Sequence, residues 1–187
     1  TLGLSNNTVL SVFEDVDSNI WLGLDSGINY LNFNSPFKLY VKKNNFWGTI
    51  YASVVYNGYL YIGTNQGLYC RRNDSDDAFA FVKNTQGQVW NLQVIDNTLF
   101  CNHNSGTFII KENRATSIFN KKGTWKLLKI DDNTILQGCY DGLSILKKEN
   151  NTWSFRNKIE GFNNSSKFIE LLDSSTLFVN HEYKGVF

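Results

Sequence analysis

The pattern Ile20-Trp21-Leu22-Gly23-Leu24-Asp25-Ser26-Gly27-Ile28 returns with the same spacing as Leu60-Tyr61-Ile62-Gly63-Thr64-Asn65-Gln66-Gly67-Leu68. Three less regular copies begin at Leu99, Ile135 and Leu177, and the last has one extra residue before its glycine. The second glycines stand at positions 27, 67, 106, 142 and 185, so consecutive copies are 40, 39, 36 and 43 residues apart. Five copies at a period of about 40 residues indicate a repeat protein.

Each repeat fits four short antiparallel strands. An apolar run that ends in an Asp, Asn or Gly turn predicts the first strand, and the glycine hairpin joins the second strand to the third. The predicted first strands are Val9–Phe13, Ile50–Tyr56, Val89–Ile95, Trp125–Ile130 and Phe168–Leu172. The predicted fourth strands are Phe37–Val41, Phe79–Val82, Ser117–Phe119 and Thr152–Phe155. Four strands per repeat without helical periodicity predict an all-β fold made of β-propeller blades.

Composition narrows the classes of function. The 187 residues contain 18 Lys and Arg against 17 Asp and Glu, which gives a net charge of +1. A charge this small does not favour nucleic acid as a partner. The longest apolar runs fall far short of the roughly 20 residues that span a bilayer. Cys70, Cys101 and Cys139 are an odd number at wide spacing, which predicts buried, free thiols rather than disulfides or a zinc site.

The first repeat resembles the two-component regulator propeller repeat. The family pattern is carried by Leu4-Ser5-Asn6-Asn7, the apolar strand, Glu14-Asp15, Asn19-Ile20-Trp21-Leu22-Gly23 and Gly27-Ile28. Ser18 replaces the usual turn glycine, Leu24 replaces Thr, and the later copies match only the core of the pattern. The resemblance implies seven-bladed propellers in the periplasmic sensor region of Bacteroidetes hybrid two-component or one-component regulators, followed by a β-sandwich, a transmembrane helix and an output module.

We expect residues 1–187 to be one propeller fragment with repeats at about 4–44, 45–84, 85–121, 122–157 and 158–187. The absence of Met at position 1 predicts an incomplete chain, and the fifth repeat stops early. Since the resemblance implies seven-bladed rings, we expect an arc of a larger propeller. An open arc exposes apolar faces. We therefore expect these faces to be covered by self-association, by a neighbouring propeller domain or by closure as a five-bladed ring. Membrane attachment is expected only through an anchor outside this sequence.

Metal and catalytic motifs are weak. Asp15-Val16-Asp17-Ser18-Asn19 begins like a calcium loop, but Ile20 stands at its glycine position, so a turn held by aspartate is the preferred interpretation. His103 and His181 occupy matched positions two repeats apart, which is too far for one shared metal, and a polar loop or surface role is expected. The sequence contains no nucleophile or zinc-protease motif. The prediction is a non-enzymatic domain without cofactor or metal.

Aromatic and polar side chains recur where the first strands begin and at the hairpins between second and third strands. Aromatic faces beside hydrogen-bonding groups suit a carbohydrate, although such aromatics also pack between blades as ordinary core. The candidate ligand-binding residues are Trp47, Trp90, Asn91, His103, Trp125, Lys126, Tyr140, Asp141, Phe168, His181 and Glu182.

Taken with the resemblance, these residues predict a non-catalytic, extracytoplasmic ligand-sensing domain of a membrane-anchored regulator that responds to an oligosaccharide. Two alternatives stay open. One is a protein-interaction propeller scaffold, and the other is a polysaccharide lyase or a glycosidase-like propeller.

Overall fold

The computed structural model describes residues 3–37 and 47–187, which form five antiparallel sheets and no helix. The chain divides into two units, Thr1–Phe46 and Trp47–Phe187. In the first unit, β1 (Val9–Glu14), β2 (Ile20–Leu24) and β3 (Ile28–Leu31) pair in sequence order as the first sheet. The fourth strand predicted at Phe37–Val41 lies outside the described residues except for Phe37.

The second unit contains the other four sheets, each with its strands in sequence order. The second sheet comprises β4 (Ile50–Tyr56), β5 (Tyr59–Thr64), β6 (Leu68–Arg72) and β7 (Ala80–Phe81). The third comprises β8 (Val89–Ile95), β9 (Thr98–His103), β10 (Gly106–Lys111) and β11 (Arg114–Phe119). The fourth comprises β12 (Thr124–Asp131), β13 (Thr134–Cys139), β14 (Gly142–Glu149) and β15 (Thr152–Lys158). The fifth comprises β16 (Phe168–Leu171), β17 (Leu177–His181) and β18 (Gly185–Val186).

The all-β propeller prediction is confirmed. In the second unit β4 contacts β8, β8 contacts β12 and β12 contacts β16, so neighbouring sheets are arranged like propeller blades around their first strands. β11 starts three residues earlier than predicted because Glu112 and Asn113, with φ of 50° and 56°, form a tight hairpin turn. Within residues 3–37 and 47–187 there is no helix with the length and apolar character needed to cross a membrane.

The repeated hairpin glycine is explained by backbone geometry. All five of these glycines have φ between 89° and 144°, a region that side chains with a Cβ rarely adopt. Three of them also pack closely against the chain that leaves the fourth strand. A Cβ on Gly67, Gly106 or Gly142 would lie 1.8–2.7 Å from a backbone carbonyl oxygen of Thr85, Phe119 or Phe162. Glycine therefore recurs at this position because of the turn geometry and, in three of the repeats, also because of close packing.

Three hydrophobic cores fill the spaces between adjacent sheets of the second unit. The core between the second and third sheets includes Leu68 and Leu99, and the next includes Phe100 and Leu127. The third core, between the fourth and fifth sheets, includes Ile169. Each sheet interior thus depends on its neighbour for burial, as expected for a repeat protein.

The three cysteines are free and buried. Cys70 and Cys101 belong to the core between the second and third sheets, and Cys139 belongs to the next core. Burial raises the pKa of the Cys139 thiol to about 11, so this side chain stays protonated near neutral pH. The thiols therefore behave as small core side chains.

Gln93 joins the third and fourth sheets through polar contacts. Its Oε1 accepts hydrogen bonds from the Leu127 N–H at 2.7 Å and the Asn102 amide at 3.0 Å. Its Nε2 donates to the Leu127 carbonyl at 2.9 Å. The side chain therefore pairs with the backbone of β12 as another strand would.

We expect Gln93→Leu to lower the free energy of unfolding by about 1–3 kcal/mol, because it leaves buried backbone groups of Leu127 without partners. Urea denaturation followed by circular dichroism measures the loss. Gln66→Leu is the matched control, since the Gln66 side chain is exposed and the change should cost less than about 0.5 kcal/mol. Equal stabilities of the two variants would show that the amide does not hold the sheets together.

Candidate functional site

A β-bulge lies near the start of the first strand in each of the first four sheets. In the second unit the ladder skips Tyr51 on β4, Trp90 on β8 and Trp125 on β12. A bulge takes one residue out of the pairing and redirects its side chain. Three aromatic side chains are thereby presented at the same end of three adjacent sheets.

These residues and Tyr140 form a continuous group of aromatic rings in mutual contact, which we call the aromatic row. Its ring centres are separated by 5.0 Å between Tyr51 and Trp90 and by 4.8 Å between Trp90 and Trp125. Tyr140, at the β13–β14 hairpin, lies 4.8 Å from Trp125. The rings of each pair are tilted by 42–49°. Tyr51 is 43% exposed and the other three are half-buried, so the row is a surface feature rather than core.

Hydrogen bonds within the protein fix the orientation of the row. The Trp90 indole N–H donates to the Tyr140 hydroxyl, and the Trp125 indole N–H donates to Ser165 Oγ at 3.0 Å. Burial raises the pKa of Tyr140, the bond from Trp90 opposes that rise, and the nearby Glu182 carboxylate adds to it. Both indole N–H groups are therefore satisfied within the protein, and the half-buried rings keep part of their aromatic surface accessible.

Charged side chains surround the Trp125 end of the row in pairs of opposite sign. Lys167 Nζ lies 5.1 Å from the centre of the Trp125 ring, within the range of a cation–π contact. Two ion pairs lie nearby. Lys126 Nζ is 3.7 Å from Glu170 Oε2, and Lys158 Nζ is 3.2 Å from Asp141 Oδ2. Local charges are thus nearly balanced beside the rings.

Both histidines accept hydrogen bonds from backbone N–H groups of their hairpins, a role that was not expected from the sequence. His103 Nδ1 accepts the Ser105 N–H at 3.0 Å, and His181 Nδ1 accepts the Tyr183 N–H at 3.0 Å. At the same repeat position Thr64 Oγ1 accepts the Gln66 N–H at 2.9 Å. This position therefore caps the hairpin between the second and third strands.

Of the two roles expected for His103, the surface role is wrong, whereas its bond to Ser105 agrees with a role in a polar loop. Its side chain is 1% exposed and packs edge-on against Phe108, with ring centres 5.3 Å apart. The difference arises because its bond to the hairpin backbone turns the ring inward. Burial lowers the pKa of His103, although backbone groups of Thr85 and Gln86 oppose that effect.

The structure brings some of the predicted site residues together and separates others. Trp90, Trp125 and Tyr140 stack in the row, and Lys126 and Asp141 flank it in ion pairs. Phe168 is 57% exposed, with Lys167 Nζ 6.0 Å from its ring. The other candidates make different contacts: Trp47 packs on Phe79, Asn91 bonds to Gln93, His103 and His181 cap hairpins, and Glu182 is partly buried beside His181.

Sequence reasoning did not place Tyr51, Ser165 or Lys167 among the candidate site residues. The alignment of Tyr51 with Trp90 in the repeats was a usable signal, because equivalent bulge positions lie side by side on neighbouring blades. Ser165 and Lys167 come from the loop before β16, where the sequence carries no repeat pattern. Their positions depend on how that loop packs over Trp125.

The loop that resembled a calcium site is a turn held by aspartate. Asp15 Oδ1 accepts the backbone N–H groups of Asp17 and Asn19, and Oδ2 accepts the Trp21 indole N–H at 2.9 Å. The Trp21 bond is the main reason that the pKa of Asp15 is lowered, followed by the Asn19 N–H. Among the described residues, no group of three or more His, Cys, Asp or Glu side chains is positioned to hold a metal ion.

Residues 3–26 match the family model of the two component regulator propeller. This match confirms the resemblance at the repeat from which it was recognised. No curated protein matches the sequence.

Several solved structures share the fold. The extracellular domain of BT3049 from B. thetaiotaomicron, described as a hybrid two component system, has a TM-score of 0.70 at 17% identity, over 98% of this chain and 27% of that one. The extracellular domain of BT4673 from the same organism, described as a one component system, has a TM-score of 0.54 at 20% identity, over 100% and 28%. The WD40 β-propeller domain of Doa1 has a TM-score of 0.53 at 11% identity, over 94% and 59%.

At these identities the likeness establishes the β-propeller fold alone. The chain spans about a quarter of the length of the two B. thetaiotaomicron structures.

Proposed function

We propose that this chain is the non-catalytic, ligand-sensing propeller part of a membrane-anchored signalling regulator, and that the aromatic row binds a glycan outside the cytoplasm, in the periplasm. One observation carries the proposal: bulges on three adjacent first strands place the rings of Tyr51, Trp90 and Trp125 in contact at the surface. The location is supported by the two similar B. thetaiotaomicron structures, which are both extracellular domains.

The chemistry of the row favours a sugar over a charged ligand. Pyranose rings have an apolar face that packs on aromatic rings and hydroxyl groups around their edges. The row offers partly exposed aromatic surface whose own indole donors are occupied, and the flanking ion pairs can exchange hydrogen bonds with hydroxyls. Because these side chains bind and orient, a sensing role needs no catalytic group among them.

Signalling requires that the ligand bind two arrangements of the regulator with different affinity. The row is built from three blades, so a bound glycan would contact several sheets at once and favour one arrangement of them. We include in the proposal that further blades or a second copy of the chain cover the fifth sheet. Leu172, Phe178 and Val186 are 65%, 45% and 62% exposed there.

We expect Trp90→Ala to weaken glycan binding about tenfold, because it removes the central ring of the row. Isothermal titration against neutral and acidic oligosaccharides measures the affinity, and thermal melting of the same samples reports on folding. Trp90→Phe keeps a ring and should bind with an intermediate affinity.

Tyr69→Ala is the control for the row, because Tyr69 packs on Phe81 away from it and should leave the affinity unchanged. Unaltered sugar binding by Trp90→Ala would remove the row from the site. A melting loss matching the roughly 3–5 kcal/mol of a buried Trp truncation would assign Trp90 to packing instead. Either result would favour the scaffold alternative.

A further inference from the structure

A groove with a volume of about 960 Å³ crosses the second unit at the end opposite the aromatic row. The row lies where the first strands begin, whereas the groove lies where they end and turn into second strands. On β4, for example, Tyr51 belongs to the row and Tyr56 lines the groove. The two residues are five positions apart along the strand, which corresponds to about 16 Å. The groove is therefore a separate feature of the surface.

The floor of the groove is apolar and held in place by hydrogen bonds. Half-buried side chains form it: Tyr56, Tyr59, Ile109 and Ile118. The Tyr56 hydroxyl donates to the Asn97 carbonyl at 2.7 Å, which ties the second sheet to the third. This bond fixes the orientation of the Tyr56 ring before any ligand arrives.

A second tyrosine braces the same wall. The Tyr61 hydroxyl donates to Asn113 Oδ1 at 2.7 Å. Burial raises the pKa of Tyr61 to about 12, so the hydroxyl remains a donor across the physiological range. This bond is a second polar contact between the second and third sheets, beside the buried Ile110 that also lines the groove.

The rim of the groove is polar and nearly uncharged. Asn57, Asn97 and Asn151 stand at hairpin turns with φ of 48°, 54° and 61°, a geometry that Asn tolerates well. Their side chains are exposed, and their carboxamide groups make no hydrogen bond to the residues that the structure describes. Each amide offers two donors and an acceptor. Lys111 and Glu112 are adjacent charges of opposite sign on the same rim.

We propose that this groove is a second binding site and that its ligand is a neutral oligosaccharide. A volume of about 960 Å³ lies within the range of about 300–1,000 Å³ typical of small-molecule sites. Ring faces on the floor match the apolar face of a sugar, and rim amides match its hydroxyls. A lipid-like ligand would desolvate the rim amides without replacing their hydrogen bonds, which is costly. The proposal does not depend on the aromatic row.

The test is a titration of the ¹⁵N-labelled chain with cellobiose, maltose and mannobiose, followed through backbone amide shifts. We expect saturable shifts at Asn97, Asn113 and Asn151 with at least one of these sugars. Tyr59→Ala should weaken that binding about tenfold, because it removes a ring from the floor. Thr116→Trp, which fills the groove from an exposed position on β11, should abolish it. Trp90→Ala should leave the groove affinity within about twofold.

Two results would overturn the groove site. One is the absence of saturable groove shifts at sugar concentrations that fill a site with a Kd of about 1 mM. The other is unchanged binding by the folded Thr116→Trp variant, which does not depend on the stability of Tyr59→Ala. Because the row and the groove report through different amides, failure of one site is distinguishable from failure of the other.

Discussion

Replacing Phe100 by alanine lowers the free energy of unfolding by about 3–5 kcal/mol. The side chain is 0% exposed and lies in the core between the third and fourth sheets. Its ring meets the edge of Trp153 at 5.9 Å between centres. Removing it leaves a cavity that the surrounding sheets cannot close. For a chain of this size the melting temperature should fall by roughly 6–20 °C.

Phe178→Ala is the matched control for Phe100→Ala. Phe178 occupies the same repeat position on β17, but its side chain is 45% exposed. The loss should therefore be less than about 2 kcal/mol, since nearly half of the Phe178 surface is already exposed and its removal leaves no closed cavity. Urea denaturation of both variants measures the difference. Similar losses would mean that the third and fourth sheets do not bury Phe100 between them.

The strands and their hairpins were predictable because each leaves a local signature. A glycine is required at the turn from second to third strand by its positive φ, and apolar residues recur in the second strand because neighbouring sheets bury them. Five such signatures at a fixed period identify blades without any long-range information. For the same reason the family pattern around Trp21 and Gly23 was recognisable from one repeat.

The bulges were not predictable from the sequence. A bulge depends on which residues of two strands face each other. Tyr51, Trp90 and Trp125 are all aromatic and Leu10 is not, and an aromatic residue in a strand does not by itself indicate a bulge. Candidate aromatics could therefore be named, but not their stacking. Side chains along a strand alternate between its two faces, and a bulged residue interrupts this alternation. The direction of its side chain is therefore known only once the pairing register of the strand is known.

Hairpin chemistry explains the remaining gaps. The sequence pattern assigns Asn57 and Asn97 to turns, and that assignment gives no hint that the turns of separate sheets surround one groove. His103 looks like a surface residue because histidine is polar, yet its bond to the Ser105 N–H satisfies one ring nitrogen within the hairpin. In both cases the residue type was known from the sequence, whereas the surroundings of the side chain depend on how the hairpin folds.

Gly106→Ala should lower the free energy of unfolding by about 2–5 kcal/mol. Its φ of 141° costs an alanine about 1–2 kcal/mol, and overpacking adds about 1–3 kcal/mol because the new Cβ would lie 1.8 Å from the Phe119 carbonyl oxygen. Gly185 has the equivalent hairpin position, a φ of 89° and no atom within 4 Å of its Cβ site. Gly185→Ala should therefore show only the backbone cost, about 1–2 kcal/mol.

The comparison of Gly106→Ala with Gly185→Ala also tests how the fold supports the aromatic row. The chain pressed against Gly106 continues from Phe119 to the bulge at Trp125, and the Thr107 and Thr124 hydroxyls, 2.9 Å apart, join the same two segments. Displacing that chain should move Trp125 relative to Trp90 and change the near-ultraviolet circular dichroism of the stacked indoles. Gly185→Ala should leave that signal unchanged. Equal stability losses and unchanged spectra in both variants would contradict close packing between Gly106 and the chain that follows Phe119.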